Sequence, residues 1–245
     1  MVNEKVYIHE FIEVIGQHRE RYMHHMTANW CPVARAERNQ LCFGVWATVG
    51  STGPWPEVVN LWELDGWAGL VGNFEHEFSG GGTQDPSLAR WWAAAAGLRR
   101  GGQDRIVVPA SWSPTIDALT AAGTRGEVYV HEVVQTIGSA STYLDAVAEQ
   151  GRVVASEFGA ALVGAFTTVM PTDHEAIVIW AAPSWASWAE WEQAVRRPGP
   201  AADWHEAATE MGTTTRRTLM VDAPLAPLRT GRQPQVEDRV PLESI

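Results

Sequence analysis

The chain has 245 residues, enough for one large domain or two small ones with ample core. Its 29 acidic residues against 18 basic ones give a net charge of −11, which argues against nucleic acid or an anionic membrane as a partner. No apolar run approaches the roughly 18 residues of a membrane span, no secretory signal opens the chain, and two cysteines, Cys31 and Cys42, are too few for a disulfide framework. The expectation is a cytoplasmic protein with reduced core thiols.

The first predicted strand, 6–12 ("VYIHEFI"), alternates and is rich in β-branched and aromatic residues. A helix follows over 16–38, which Pro32 should break or kink. Two strands, "LCFGVWAT" (41–48) and "EVVNLWEL" (57–64), flank a turn at 50–56. A Trp-rich helix starts near Gly66 and is interrupted by "SGGGTQDPS" (79–87). A last strand, "RIVVPA" (105–110), completes the set.

The same set then recurs. "VYIHEFIEVIG" (6–16) returns as "VYVHEVVQTIG" (128–138), so Tyr7, His9 and Glu10 become Tyr129, His131 and Glu132. Gly44, Trp46 and Thr48 match Gly164, Phe166 and Thr168, and Trp62 matches Trp180. A helix over 139–160, a turn at 170–174, a second helix from near Ser184 broken at 196–203, and a strand at 217–222 complete the copy. Near-constant offsets with small shifts at loops are the mark of an internal duplication. Each copy reads βαββαβ, the ferredoxin-like unit. The boundaries are 1–123 and 124–228, with 229–245 a polar tail expected to be mobile. A single such sheet carries helices on one face only, so two copies in one chain can press their open faces together as a closed barrel. The fold class expected is α+β: two tandem ferredoxin-like repeats forming an intrachain dimeric α/β barrel.

Three segments carry a family resemblance: Ile15-Gly16 after the first strand, Gly44-Val-Trp46-Ala-Thr48, and Val58-Val-Asn-Leu-Trp62. On these the chain resembles the NIPSNAP-like branch of the dimeric α/β-barrel superfamily, over roughly residues 6–228. The resemblance implies the barrel. It leaves the chemistry open, because the superfamily includes polyketide cyclases, cofactor-free monooxygenases, haem proteins and isomerases. The family's first strand often carries Arg where His9 stands, and its third strand often carries His where Asn60 stands.

Strand alternation assigns faces. Val6 and Ile8 are expected under the helices, with Tyr7, His9 and Phe11, and correspondingly Tyr129 and His131, lining the barrel cavity. In the third strand Val59 and Leu61 are expected under the helices, leaving Asn60 and Trp62, and Trp180 in the second copy, to face the cavity. If the faces are inverted, Glu10 and Glu132 are the cavity groups instead. On this reading His9, with Tyr7 and His131, performs acid–base work, and Asn60, Trp46, Trp62, Phe11, Tyr129 and Trp180 form the substrate wall. Asn60 against Val178 makes copy one the more polar, so the chemistry is placed nearer His9.

The function expected is a cofactor-independent enzyme of specialised metabolism acting on a small apolar ketone or aromatic by cyclisation, isomerisation or elimination. A cofactor-free monooxygenase and a non-catalytic ligand-binding or scaffold protein are the alternatives. Nothing in the sequence demands a cofactor or metal. His18, Tyr22 and His25 share a helix face without an accompanying metal motif, and Glu75, His76 and Glu77 read as surface. The partner is a small molecule, and a homodimer through the helices is allowed.

Overall fold

The computed structural model describes residues 2–79 and 84–245. In the first repeat β1 (Val6–Val14) leads to α1 (Arg19–His24), a π-helical turn (His25–Trp30) and α2 (Cys31–Arg38). These are followed by β2 (Leu41–Thr48), β3 (Glu57–Leu64), α3 (Gly66–Glu77), α4 (Pro86–Ala95) and β4 (Arg99–Pro109). A linker helix α5 (Ile116–Ala121) leads to the second repeat: β5 (Val128–Thr136), α6 (Ala140–Ala146), a π turn (Val147–Gly151), α7 (Arg152–Glu157), β6 (Ala161–Val169), β7 (Glu175–Ala182), α8 (Trp185–Ala194), α9 (Pro200–Glu210) and β8 (Gly212–Asp222). A short α10 (Pro227–Thr230) follows. Residues 80–83, within the glycine-rich break expected at 79–87, lie outside the described residues. No described helix is long and apolar enough to cross a membrane.

The strands close in the order β1-β3-β2-β8-β5-β7-β6-β4. Each repeat supplies one four-stranded antiparallel sheet, β4-β1-β3-β2 or β6-β7-β5-β8. The seams are short: Trp46–Thr48 pairs with Met220–Asp222, and Ile106–Pro109 with Phe166–Val169. Closure leaves no sheet edge unpaired along the seams, where an open edge would invite pairing with another chain. The recurring Gly-x-aromatic motif has a packing cause. The indole of Trp46 lies over Gly44 and the ring of Phe166 over Gly164, where any Cβ would overlap it.

Both faces of each sheet are buried. The inner face packs Tyr7, Phe11, Phe43, Trp46, Leu61, Tyr129, Phe166 and Ile179, with Ile116 of α5 and Leu228 of α10 joining the same cluster. The outer faces pack against the helices of their own repeats.

Two expectations are corrected here. The helix over 16–38 is not ended by Pro32: the π turn runs straight into α2, and the Ala28 carbonyl four residues before the proline accepts from Arg239 instead. The π turn before it recurs in the second repeat without any proline, so it belongs to the fold. The tail beyond Arg229 is strapped to the first repeat. The Gln233 side chain pairs with both the N–H and the C=O of Cys42 at 3.0 and 2.8 Å. Arg239 donates to the Ala28 and Asn29 carbonyls at 3.0 and 3.2 Å.

Candidate functional site

The two histidines meet at the centre of the barrel. Their Nε2 atoms are 2.9 Å apart, their rings stack at 5.1 Å, and Phe11 packs edge-on against both. Neither has any solvent exposure, and neither Nδ1 has a hydrogen-bond partner among the described residues. Burial, the facing His131 and the Arg105 and Arg216 charges hold His9 well below the ordinary histidine range. Burial and the same arginines lower His131 to about 3. The pair is neutral at pH 7, one ring donating to the other, with no solvent-exposed surface.

The barrel tyrosines are also committed. Tyr7 donates to Glu63 Oε2 at 2.9 Å and accepts from Asn3 Nδ2 at 2.9 Å. Tyr129 donates to Asp222 Oδ2 at 2.5 Å and accepts from the Gly126 N–H. Phe11, placed there by alternation, and Trp46 both lie inside the barrel.

Asn60, Trp62 and Trp180 do not. The register pairs His9 with Leu61 and Glu10 with Asn60, and directly opposed residues share a face. Val59 and Leu61 therefore point into the barrel, while Asn60 and Trp62 lie under the helices beside Glu10. Trp180 is likewise outside, donating from Nε1 to Glu132 Oε2 at 3.1 Å.

That outer layer of the first repeat encloses a cavity of about 300 Å³, at the lower bound of typical small-molecule sites. Its floor is the sheet, with Glu10, Trp62 and Asp104. Its roof is the π turn (Trp30), the end of α2 (Arg38), α3 (Asn73, Phe74, Glu77) and α4 (Trp91, Trp92). Phe74 and Phe78 are 38% and 55% exposed and form the mouth.

Glu10 is the titratable group of interest. Asn60 Nδ2 donates to its Oε2 at 2.8 Å and to the Tyr22 hydroxyl at 3.2 Å. Burial, then the Asp104 charge opposite it on β4, raises the Glu10 carboxyl to about 7, against the weaker opposing effects of Asn60, Trp62 and Arg99. Such a carboxyl is half-ionised at neutrality, where a general base works best.

The second repeat supplies the control. Glu132 occupies the matching position, but its β8 partner is Arg217, where β4 carries Asp104. Arg217 bonds Glu132 at 3.0 Å and Glu192 at 2.7 Å. With Trp191, Trp204 and Tyr143 packed around that ion pair, about 40 Å³ remains. One repeat keeps an open cavity with two facing carboxylates; in the other, an arginine neutralises the equivalent carboxylate and the space is filled.

The weaker candidates are not brought together as expected. Tyr22 belongs to the Asn60 network, while His25 bonds Asn29 and the Trp91 carbonyl. His76 instead approaches Glu37 and Asp85, all ligand atoms within 4.8 Å, but Asp85 already caps α4 and stands 3.6 Å from Arg38. Among the described residues lining the cavity there is no histidine or cysteine.

No family model matches the chain, and no curated protein matches it in sequence. Solved structures do. A candidate monooxygenase from Lactobacillus acidophilus aligns over 89% of this chain and 94% of its own, with TM-score 0.57 and 11% identity. An anthrone oxidase-like protein aligns over 90% and 92%, with TM-score 0.58 and 11% identity. A NIPSNAP family protein from Agrobacterium tumefaciens aligns over 43% of this chain and 94% of its own, with 18% identity and TM-score 0.37. The fold is that of the dimeric α/β barrels, here closed within a single chain.

Proposed function

We propose that the protein is a cofactor-independent enzyme that removes a proton from an activated C–H of a small aromatic or polycyclic ketone. The ketone sits in the first-repeat cavity and Glu10 is the base. The observation that carries this is the contrast between repeats: Glu10 faces Asp104 in an open cavity, whereas Glu132 is neutralised by Arg217 in a filled one. Asn60 orients the Glu10 carboxylate through one N–H, and the tryptophans supply flat walls for a ring system. His9 and His131 become core residues in this reading, and the chemistry moves to the other face of the same strand.

A second reading follows from the aromatic enclosure, in which a carbanion would meet dissolved oxygen away from bulk water. The carbanion would reduce O2, one oxygen atom remaining as a new carbonyl and the other leaving as water. Anthrone, with its acidic methylene, is a probe for both. Deuterium exchange at that methylene under anaerobic conditions reports proton removal, and oxygen uptake in air reports oxygenation. Glu10→Gln should slow exchange by about 10²-fold or more, while His9→Phe should leave it intact. Exchange unaltered in Glu10→Gln would refute Glu10 as base, and binding without exchange would make the protein a ligand carrier.

A further inference from the structure

At the α2 end of the cavity stands an arginine with nothing bonded to the edge that faces carboxylates. The Arg38 side chain is 1% exposed, yet its Nε and Nη2 have no hydrogen-bond partner among the described residues. The nearest carboxylates are Glu77, 3.8 Å from Nη1, and Asp85, 3.6 Å from Nη2, close enough to offset the charge but beyond hydrogen-bond reach of the open donors. Asp85 is turned to the start of α4, where it accepts from the Ser87 and Leu88 N–H groups. A guanidinium stays charged at any working pH. Burying one with open donors is expensive unless an acceptor arrives. Nε–H and the adjacent Nη2–H are the two parallel donors that grip a carboxylate side-on in bidentate pairs.

The neighbouring groups suit the same guest. Asn73, 4% exposed, lines the cavity with its side-chain Oδ1 unpartnered among the described residues, an acceptor for a phenol hydroxyl of the guest and not for its carboxylate. Gln40, also buried, lines it too, so two amides flank the guanidinium on the cavity side, with Glu77 and Asp85 behind its other contacts. Trp30 lies 5.4 Å beneath the guanidinium, and Trp91 and Trp92 continue the aromatic wall. The Arg217 of the second repeat offers no such edge, because two glutamates already hold it.

We propose that the cavity takes an aromatic carboxylate, its acid group held side-on by Arg38 Nε and Nη2 and its ring lying among Trp30, Trp91 and Trp92. This rests on the reading of the cavity as the substrate site and names the substrate class: a ring ketone or phenol that also carries an acid. Arg38 is then a binding and specificity residue, acting at the opposite end of the substrate from the C–H that Glu10 would attack.

The test is calorimetric titration of the whole chain with 2-naphthoate and with 2-naphthamide, a neutral probe of the same shape. The expected result is at least tenfold tighter binding of the acid, reduced to the level of the amide in Arg38→Gln and partly kept in Arg38→Lys, which retains charge without the fork. Equal affinity for the two probes, preference for the amide, no binding of either, or naphthoate binding undiminished in Arg38→Gln would each overturn the proposal. If Arg38→Gln does not fold, the acid–amide comparison in the unaltered protein and the Arg38→Lys value decide. The readout is binding, so it is separable from the chemistry. Naphthoate held by Arg38 alongside an unaffected Glu10→Gln exchange rate would sink the base assignment and leave this one standing.

Discussion

Replacing Glu10 with Gln should change how stability depends on pH, in a direction the site dictates. In the folded chain the Glu10 carboxyl titrates at about 7, against an ordinary value of 4.5. Between those two values the folded state keeps a proton that the unfolded chain has released, so the unaltered protein loses stability as pH rises through this window. The distance between those two values corresponds to about 3 kcal/mol. That figure is a ceiling, because the carboxyl keeps contact with the cavity. The substituted amide carries no such titration, and its carbonyl still accepts from Asn60. The variant should therefore gain on the unaltered protein by up to about 3 kcal/mol between pH 4.5 and 8, whatever constant offset the substitution adds. For a chain of this size that corresponds to roughly 6–12 °C in the difference of melting temperatures. Urea unfolding at several pH values and fixed ionic strength measures the difference directly. Parallel curves for the two proteins would show that Glu10 titrates normally, and the argument for a base poised at neutrality would fail.

Exchange activity should rise as pH passes about 7, with the ionisation of Glu10. Asp104→Asn, read from the pH–rate profile, should move that limb to lower pH without restoring the ordinary carboxylate range, since burial is the larger cause. Arg217→Met in the second repeat should cost about 1–2 kcal/mol by leaving the half-buried Glu132 without its charged partner, a loss visible as a lower urea midpoint. The imidazole of His131, held at about 3, should show no titration by NMR between pH 8 and 5. The histidine pair would then favour the folded state above pH 6.5 and lose that contribution progressively as pH falls towards 3.

The duplication and the βαββαβ order were legible because strand alternation and near-constant offsets survive divergence. The inward placement of Tyr7, His9 and Phe11 was legible for the same reason. The face of β3 was not. Its aliphatic pair, Val59 and Leu61, looks equally at home under helices or inside a barrel, and only the register opposite β1 sets Leu61 against His9 and Asn60 against Glu10. Asp104 was hidden because "RRGGQD" reads as a loop. It is strand only because β4 pairs along the length of β1 as far as Arg99. Arg38 gave no signal at all, since a basic residue ending a helix is ordinarily at the surface. A comparison of copies could have found the site: position 10 and position 132 share a glutamate, and their cross-strand partners have opposite charge.

The two seams of the barrel join halves that a linker already holds together. Association of the halves is therefore intramolecular, and its strength is set by an effective concentration rather than by how much protein is present. Melting of this barrel should not shift with dilution, unlike that of a barrel assembled from two separate chains. Permanent tethering also removes the requirement that both halves stay identical, because a substitution in one no longer appears twice. The second repeat can fill its own hollow with Arg217 and tryptophan and complete the barrel, while the first keeps an open hollow with the Glu10 carboxyl and an arginine with two open donors.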